Sequence, residues 1–314
     1  MRLYRHESDL PQDARGAVVT LGNFDGVHLG HQAVIAAAAK VARETGRPLA
    51  LLTFEPHTRA FFRPDGAPFR LTPLRAKLHA LEPLGIDYVL IRQFDRAFSE
   101  LSAEAFAADI LGRDMGISHA VAGRDFRYGH KHAGTMEMLT GAGAATGFGV
   151  TAVDAVGASD GTIYSATVIR ELIADGDLSR ANALLGRPWE IDGHVIAGDR
   201  RGRVLGFPTA NIQLGEYLRP AFGIYAVRAR LDRPDAPWVD GVANLGIRPM
   251  WRVDEPLLEV HLFDFNADIY GQVLRVRLIE RLRPEARFDS VKALVQQVDL
   301  DKASARTVLA AAPA

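Results

Sequence analysis

The chain has 314 residues, enough for two domains with separate cores, and its 48% apolar and 24% charged content belongs to a chain that folds throughout. A formal net charge of −1 excludes the overall basic footprint of a protein that coats nucleic acid or an anionic membrane, so any anion site must be local. With no Cys, disulfides, thiolate metal sites and Cys nucleophiles are excluded together.

Residues 1–13 lack the apolar core of a signal peptide, and no stretch reaches the ~18 apolar residues of a membrane span. A cytoplasmic protein with neither nucleic-acid nor membrane partners is the expectation. AVVTL (17–21) spells a buried strand, and 31–45 spells a helix stopped by Gly46 and Pro48. LALLTF (49–54) is the next strand. Thr72 and Pro73 open a helix ending at Gly85, YVLIRQF (88–94) returns to strand, and Ser102 caps a further helix. HAVAG (119–123), a helix near 135–145 and FGVTAVDAV (148–156) continue the alternation. This rhythm predicts an α/β domain, a mostly parallel Rossmann-like sheet with helices on both faces. Ligands of such sheets sit beyond the carboxyl ends of the strands. GNFDGVH, EPHTRAFF and GRDFRYGHKH each follow a predicted strand, so the three loops converge on one pocket.

After Leu185 the pattern changes. YAVRARL (225–231) sets Tyr225, Val227, Ala229 and Leu231 against Arg228 and Arg230, and VLRVRL (273–278) alternates through Leu274, Val276 and Leu278. Turn residues Gly198, Gly202, Gly223 and Gly271 separate the runs, which predicts a small antiparallel barrel. A C-terminal helix follows, capped by Asp289 or Ser290, with Val291, Leu294, Val295 and Val298 as its apolar face. The boundary falls at 185–188, giving domains 1–185 and 186–314.

The first chemical constellation is LGNFDGVHLGH (21–31). A strand, a glycine-bearing turn and a helix start make an anion site, because backbone N–H groups and the helix dipole point at the ligand. His28 and His31, three apart, lie on one side of that helix start and can donate to phosphate oxygens as charge builds. Gly22, Gly26 and Gly30 admit a close ligand, with Asn23 and Phe24 between them, and Asp25 could orient a His or hold a metal through water. The loop lacks the GK[ST] of a P-loop and the G-x-G-x-x-G of a dinucleotide fold. It resembles instead the H-x-G-H motif of the nucleotidylyltransferase superfamily, whose members attack the α-phosphate of a nucleoside triphosphate. SATVIRELI (165–173) adds Ser165, Thr167 and Arg170, an arginine suited to clamp β- and γ-phosphates, or else a solvated helix residue. Asp125 and Phe126, with Tyr128 nearby, offer an acceptor beside aromatic faces for a planar heterocycle, unless the rings are simply core.

The second constellation opens with GDRRGRVLGFPTANI (198–212). Gly198, Gly202 and Gly206 with Arg200, Arg201 and Arg203 make a basic loop able to wrap phosphates, or a solvated hairpin tip. Thr209 and Asn211, after Pro208, offer hard oxygen ligands of the kind Mg²⁺ accepts beside substrate phosphates. Glu259 in LLEVHLFDF (257–265) shares a face with His261 and Phe263 and can serve as general base on a hydroxyl, although an exposed strand Glu is the commoner case.

GFPTAN, GVANLGIRP (241–249) and LLEVHLFDF together resemble riboflavin kinase, a six-stranded barrel with a C-terminal helix. With TFEPH and GRDFRYG in the preceding half, nearly the whole chain is similar, in order, to the bacterial bifunctional riboflavin kinase/FMN adenylyltransferases. The resemblance implies two reactions: riboflavin plus ATP gives FMN in the barrel, and FMN plus ATP gives FAD and pyrophosphate in the first domain. It makes Thr209 and Asn211 the ligands of Mg²⁺ and phosphate, and Glu259 the base on the ribityl 5′-hydroxyl. It further gives His28 and His31 the ATP phosphates, with Arg170, and Gly22, Asn23, Phe24, Asp25, Gly26, Ser165 and Thr167 around the nucleotide. Asp125 and Phe126 line the flavin side, and Gly198, Arg203, Gly206, Pro208, Asn244 and Arg248 line the kinase ligands. Partners are thus ATP and flavins, with the oligomeric state left open, a homo-oligomer included.

Three positions depart from the family pattern. Ala166 stands where S-S-T-x-I-R has its second Ser, Met250 replaces the Thr after R-P, and Thr58 replaces the common Pro. Two rival readings exist: an adenylyltransferase for another phosphate ester with the barrel as a binding module, and a flavin-responsive regulator without turnover. Intact GFPTAN, Glu259, His28 and His31 argue against both.

Overall fold

The computed structural model describes residues 1–157, 161–198, 205–246 and 256–313. Compactness divides it into one unit of residues 1–67 and 77–164 and a second of residues 68–76 and 165–314.

The first unit is a parallel sheet of β1 (Arg2–Tyr4), β2 (Val18–Leu21), β3 (Leu49–Glu55), β4 (Tyr88–Gln93), β5 (His119–Gly123) and β6 (Gly149–Val153). Its order is β1-β4-β3-β2-β5-β6, every pair parallel. The chain leaves β2 toward β3 and β4 on one side and resumes at β5 on the other. The switch point of the doubly wound sheet therefore lies between β2 and β5, where a crevice opens beyond the strand ends. All four residues of β2 are buried, as an apolar run in a central strand requires. The helix predicted from 31 begins earlier, as Leu29–Thr45, because His28 caps it: its Nδ1 accepts from the His31 amide at 3.3 Å. Gly46 ends it with φ 63°, and Thr135 caps Met136–Thr146 through Met138 N at 3.2 Å.

The second unit is an antiparallel barrel of β7 (Trp189–His194), β8 (Ala210–Gln213), β9 (Gly223–Leu231), β10 (Val239–Gly246), β11 (Leu257–Leu262) and β12 (Val273–Arg283), in the order β7-β12-β9-β10-β11-β8. A bridge in which Ile196 N donates to Asn211 O at 2.9 Å brings the two ends together. Tyr225, Val227 and Ala229 are fully buried inside, as the alternation predicts. The helix Val291–Ala311, capped by Ser290, covers part of the outer face; Ala305 and Leu309 pack there on Ala226 and Val242.

The helices Ala166–Asp175 and Leu178–Leu185, read from sequence as the end of the first domain, are grouped with the barrel. Asn182 Nδ2 donates to the carbonyls of Leu278 and Ile279 at 3.0 and 3.3 Å, and its Oδ1 accepts from Trp189 N at 2.7 Å. Residues 68–76 join the same unit: Trp189 Nε1 donates to Leu71 O at 2.8 Å, and Arg75 pairs with Asp192 at 2.7 Å.

Candidate functional site

In the first unit the loop after β2 is bent by three departures from ordinary backbone within four residues. Phe24 and Val27 hold φ of 49° and 44°, and Gly26 holds 86°. A β-branched residue in that region is a rare strained state, kept where packing over-determines it. Both side chains are locked in the core, Val27 wholly and Phe24 almost so. A turn closed by Val27 N donating to Phe24 O at 3.2 Å then delivers His28 to the helix start.

His28 is buried, and because its Nδ1 accepts the helix amide, the neutral ring carries its proton on Nε2. The His31 ring stacks on it, centroids 3.7 Å apart, and lies 5.1 Å from Phe24. Asp25 is buried in the same turn. Two imidazoles side by side at a helix N-terminus form a donor set for anionic oxygens.

The β2 and β3 loops are tied together. Thr53 Oγ1 donates to Asn23 O at 3.2 Å, and Asn23 Nδ2 donates to Thr58 Oγ1 at 3.1 Å. A row of rings runs from Phe62 through Phe94, Phe98, Phe106 and Tyr128 to Phe126, successive centroids 5.3 to 6.1 Å apart. It links the loops after β3, β4 and β5, which include two of the three loops expected to converge, and leaves Phe62 61% exposed. Sequence reading named Phe126 but missed this row, whose members come from separated segments. Burial pushes the Tyr128 hydroxyl up to about 12, so it stays protonated. Asp125 is exposed.

Ser165, Thr167 and Arg170 belong to the second unit. Ser165 caps its helix by accepting from Thr167 N at 3.2 Å, and Arg170 Nε donates to Phe69 O at 2.9 Å.

The barrel carries the second site. Register pairs Asn211 with Glu259, Glu259 with Asn244, Asn244 with Ile224 and Ile224 with Arg283. Directly opposed residues share a face, so Asn211, Glu259, Asn244 and Arg283 form one row across five strands. That face is the outer one, under the C-terminal helix. The row lines a cavity of about 800 Å³, whose other walls include Thr209, Phe265, Phe288 and Leu294. Such a volume suits a small organic ligand, with polar groups along one side and apolar ones along the other.

Asn211 is buried and its Oδ1 has no hydrogen-bond partner among the described residues, while Gly198 approaches so closely that a Cβ there would collide with the amide nitrogen. A buried oxygen of that kind calls for a partner such as water, a ligand or a cation. Among the described residues no three His, Asp or Glu side chains cluster as a metal site. His261 Nδ1 donates to Pro208 O at 2.9 Å and pins the loop before Thr209; burial holds its proton affinity below the usual imidazole range. Gly206 needs its φ of 87°, and Gly206 and Pro208 lie exposed. Phe263 lies just beyond β11 and packs with Ala226, Val242, Ala305 and Leu309 under the C-terminal helix, the face of Glu259 as the alternation predicts. Arg203, Arg248 and Met250 lie outside the described residues.

Sequence reading missed Arg283, Glu285 and Asp301. Asn244 hydrogen-bonds Glu285, whose carboxyl is pushed up by burial and by the charge of Glu259. Arg283 meets Asp301 in a bidentate pair, Nε at 2.8 Å and Nη2 at 2.6 Å. The sequence signal was the continuation of β12 beyond Leu278, hidden by two register shifts before Arg283.

Comparison with known proteins matches residues 10–167 to the family described as FAD synthetase and residues 185–309 to that described as riboflavin kinase. The bifunctional riboflavin kinase/FMN adenylyltransferase of Escherichia coli K12 is 40% identical over 299 residues, covering 95% of this chain and 94% of that protein. The proteins of the same description from Pseudomonas fluorescens and Bacillus subtilis 168 are 41% and 40% identical, covering 99% and 94% of this chain and 98% and 93% of their own. A crystal structure described as a macrolide-efflux protein from Streptococcus pneumoniae superposes with a TM-score of 0.84 at 31% identity, covering 97% of this chain and 98% of that one. Among the described residues of this chain no helix is long and apolar enough to cross a membrane.

Proposed function

The chain belongs to the family of bifunctional riboflavin kinase/FMN adenylyltransferases, and from that premise we propose how its residues divide the two reactions. Riboflavin kinase and FMN adenylyltransferase act in turn: ATP phosphorylates riboflavin to FMN, and a second ATP adenylylates FMN to FAD with release of pyrophosphate. We assign adenylyl transfer to residues 1–185 and phosphorylation to 186–314.

The observation that carries the kinase assignment is the row Asn211, Glu259, Asn244 along a cavity of about 800 Å³. Glu259 takes the proton of the ribityl 5′-hydroxyl as that oxygen attacks the γ-phosphorus of ATP, whose bond to the bridging oxygen breaks so that ADP leaves. Asn244 orients the hydroxyl, and the apolar walls hold the flavin ring. Thr209 and Asn211 would hold Mg²⁺, which would neutralise charge on the phosphates; Asn211 Oδ1, without a hydrogen-bond partner among the described residues, supports that fit. Gly198, Gly206 and Pro208, with Arg203 and Arg248, surround the nucleotide and flavin.

For adenylyl transfer, His28 Nε2–H and His31 donate to the ATP phosphates while an FMN phosphate oxygen attacks the α-phosphorus and pyrophosphate leaves. Gly22, Asn23, Phe24, Asp25 and Gly26 shape the turn that presents them. Ser165, Thr167 and Arg170 complete the nucleotide side, and Asp125 and Phe126 the flavin side. Both reactions consume ATP, for which the cytoplasm is the proposed location; no nucleic acid or membrane enters either, and a homo-oligomer is compatible with both.

The test is to incubate the purified protein with riboflavin, ATP and Mg²⁺ and separate the flavins by chromatography. Glu259→Ala should abolish FMN formation while added FMN is still adenylylated, and His28→Ala should do the reverse. Loss of both reactions from either substitution in folded protein would overturn the two-site assignment.

A further inference from the structure

Lys77 is completely buried, an unusual state for an ammonium group, and the chemistry above does not use it. It lies in the helix Leu74–Leu81. Its Nζ reaches Thr53 Oγ1 at 3.2 Å and Glu55 Oε1 at 3.5 Å. Thr53 and Glu55 are two apart on β3 and so share one face of the strand. Thr53 is itself completely buried.

The direction of these bonds is fixed by their chemistry. An ammonium group only donates, so Thr53 Oγ1 accepts from Lys77 and must spend its own proton on another acceptor. That acceptor is the carbonyl of Asn23, at 3.2 Å. Asn23 precedes Phe24, the first residue of the turn held at positive φ, and its side chain donates onward to Thr58. The series from Lys77 through Thr53 to Asn23 therefore has a single polarity. A backbone held in strained conformation needs restraint from outside the loop, and this series supplies it at the residue where the strain begins.

We propose that Lys77 is a positioning residue for adenylyl transfer: through the Thr53 hydroxyl it fixes the Asn23 carbonyl, and with it the turn that carries His28 and His31. Burying a charge without need is costly, and a methionine of similar length would fill the same space. Lys77 is retained for its donors. The inference rests on the assignment of the 22–31 loop to the ATP phosphates.

The test uses the full chain and compares Thr53→Val, which keeps shape but loses the hydroxyl, with Thr53→Ser, which keeps the hydroxyl, alongside Lys77→Met and His28→Ala. Conversion of FMN to FAD and of riboflavin to FMN is measured for each, with melting followed by circular dichroism. Thr53→Val and Lys77→Met should lower kcat for adenylyl transfer about 10- to 100-fold, the effect of misplacing reacting groups by a fraction of an ångström to an ångström. KM for FMN and the kinase rate should stay within about twofold of the parent, since neither depends on this turn, and Thr53→Ser should restore most of the lost kcat.

If Thr53→Val matches the parent, or if Thr53→Ser loses as much as Thr53→Val, the hydroxyl is not the link and the proposal fails. A parallel fall in both activities would mark Lys77 and Thr53 as general structural residues, and would equally overturn it. Should Lys77→Met not fold, the Thr53 pair decides alone. His28→Ala separates the premises: if it leaves adenylyl transfer intact, the loop assignment itself is wrong, and if only His28→Ala is impaired, the assignment stands and the relay falls.

Discussion

Single residues set the chemistry of the first site by limiting where a proton or a hydroxyl can be. In the proposed assignment His28 serves as a donor because its Nδ1 accepts from the His31 amide, which leaves the proton on Nε2. Ala166 is the complementary case. It is the first residue of the helix Ala166–Asp175, between the cap Ser165 and Thr167, where the family pattern carries a second hydroxyl. Replacing it with Ser adds a donor without disturbing the cap, since Ser165 Oγ remains bonded to Thr167 N. One hydrogen bond to a charged group such as a phosphate is worth about 1.5–3 kcal/mol net. Ala166→Ser should therefore raise kcat/KM for FMN adenylylation about 10- to 100-fold, read from pyrophosphate release, and leave riboflavin phosphorylation unchanged. An unchanged adenylylation rate would mean that Ser165 and Thr167 suffice.

At the scale of elements, the kinase cavity depends on how the C-terminal helix is held. Arg283 pairs with Asp301, Gln297 Nε2 also donates to Asp301 at 3.0 Å, and Arg228 Nη2 donates to the Leu309 carbonyl at 2.7 Å near the helix end. Asp301 is buried and Arg283 is 22% exposed, so removing the carboxylate strands a partly shielded guanidinium. Asp301→Ala should cost about 1–3 kcal/mol, less than for a wholly buried pair, visible as a lower denaturant midpoint. Because Phe288, Leu294 and Val298 from this segment wall the cavity, KM for riboflavin should also rise several-fold while FMN adenylylation holds.

The helix itself was legible in the sequence with its Ser290 cap, but its apolar face only in part: Val291 is exposed, Leu294, Val295 and Val298 are half-buried, and the buried residues are Asp301, Ala305 and Leu309. Its pairing with β12 was not legible. Alternation would put Leu278 and Glu280 on one face, yet they pair with the adjacent residues Val227 and Ala226 and so face opposite ways. A bulge of that kind leaves no mark in hydrophobic period, and it is what brings Arg283 into the row with Glu259. Asn211 and Glu259 were found without it because their motifs name them; Glu285, approached only through Asn244, was not.

For the whole molecule, the boundary drawn from sequence at 185–188 and the division by compactness differ by residues 68–76 and by the two helices in residues 165–185. An amphipathic helix announces that one face is covered but not which core covers it, so the switch from parallel to antiparallel pattern was the only sequence marker available. The family matches leave the same gap, ending at 167 and resuming at 185. Packing assigns the segment. Leu178, Leu184 and Leu185 are 1%, 6% and 0% exposed, in a helix that contacts β7 and β12. Three buried leucines are worth at most about 5–9 kcal/mol, the order of a whole domain's net stability. A fragment beginning at 186 would lose them along with the Asn182 bonds to Leu278, Ile279 and Trp189. A fragment beginning at 165 would keep them and forgo only residues 68–76, with Leu71 as acceptor for Trp189 and Arg75 as partner of Asp192. The 165–314 fragment should therefore melt cooperatively, below the full chain, and phosphorylate riboflavin, whereas 186–314 should show no cooperative melt. Circular dichroism melts of the two fragments with a kinase assay on each decide it: equal melting would mean that the barrel and its C-terminal helix hold themselves, and that the helices of 165–185 merely rest on them.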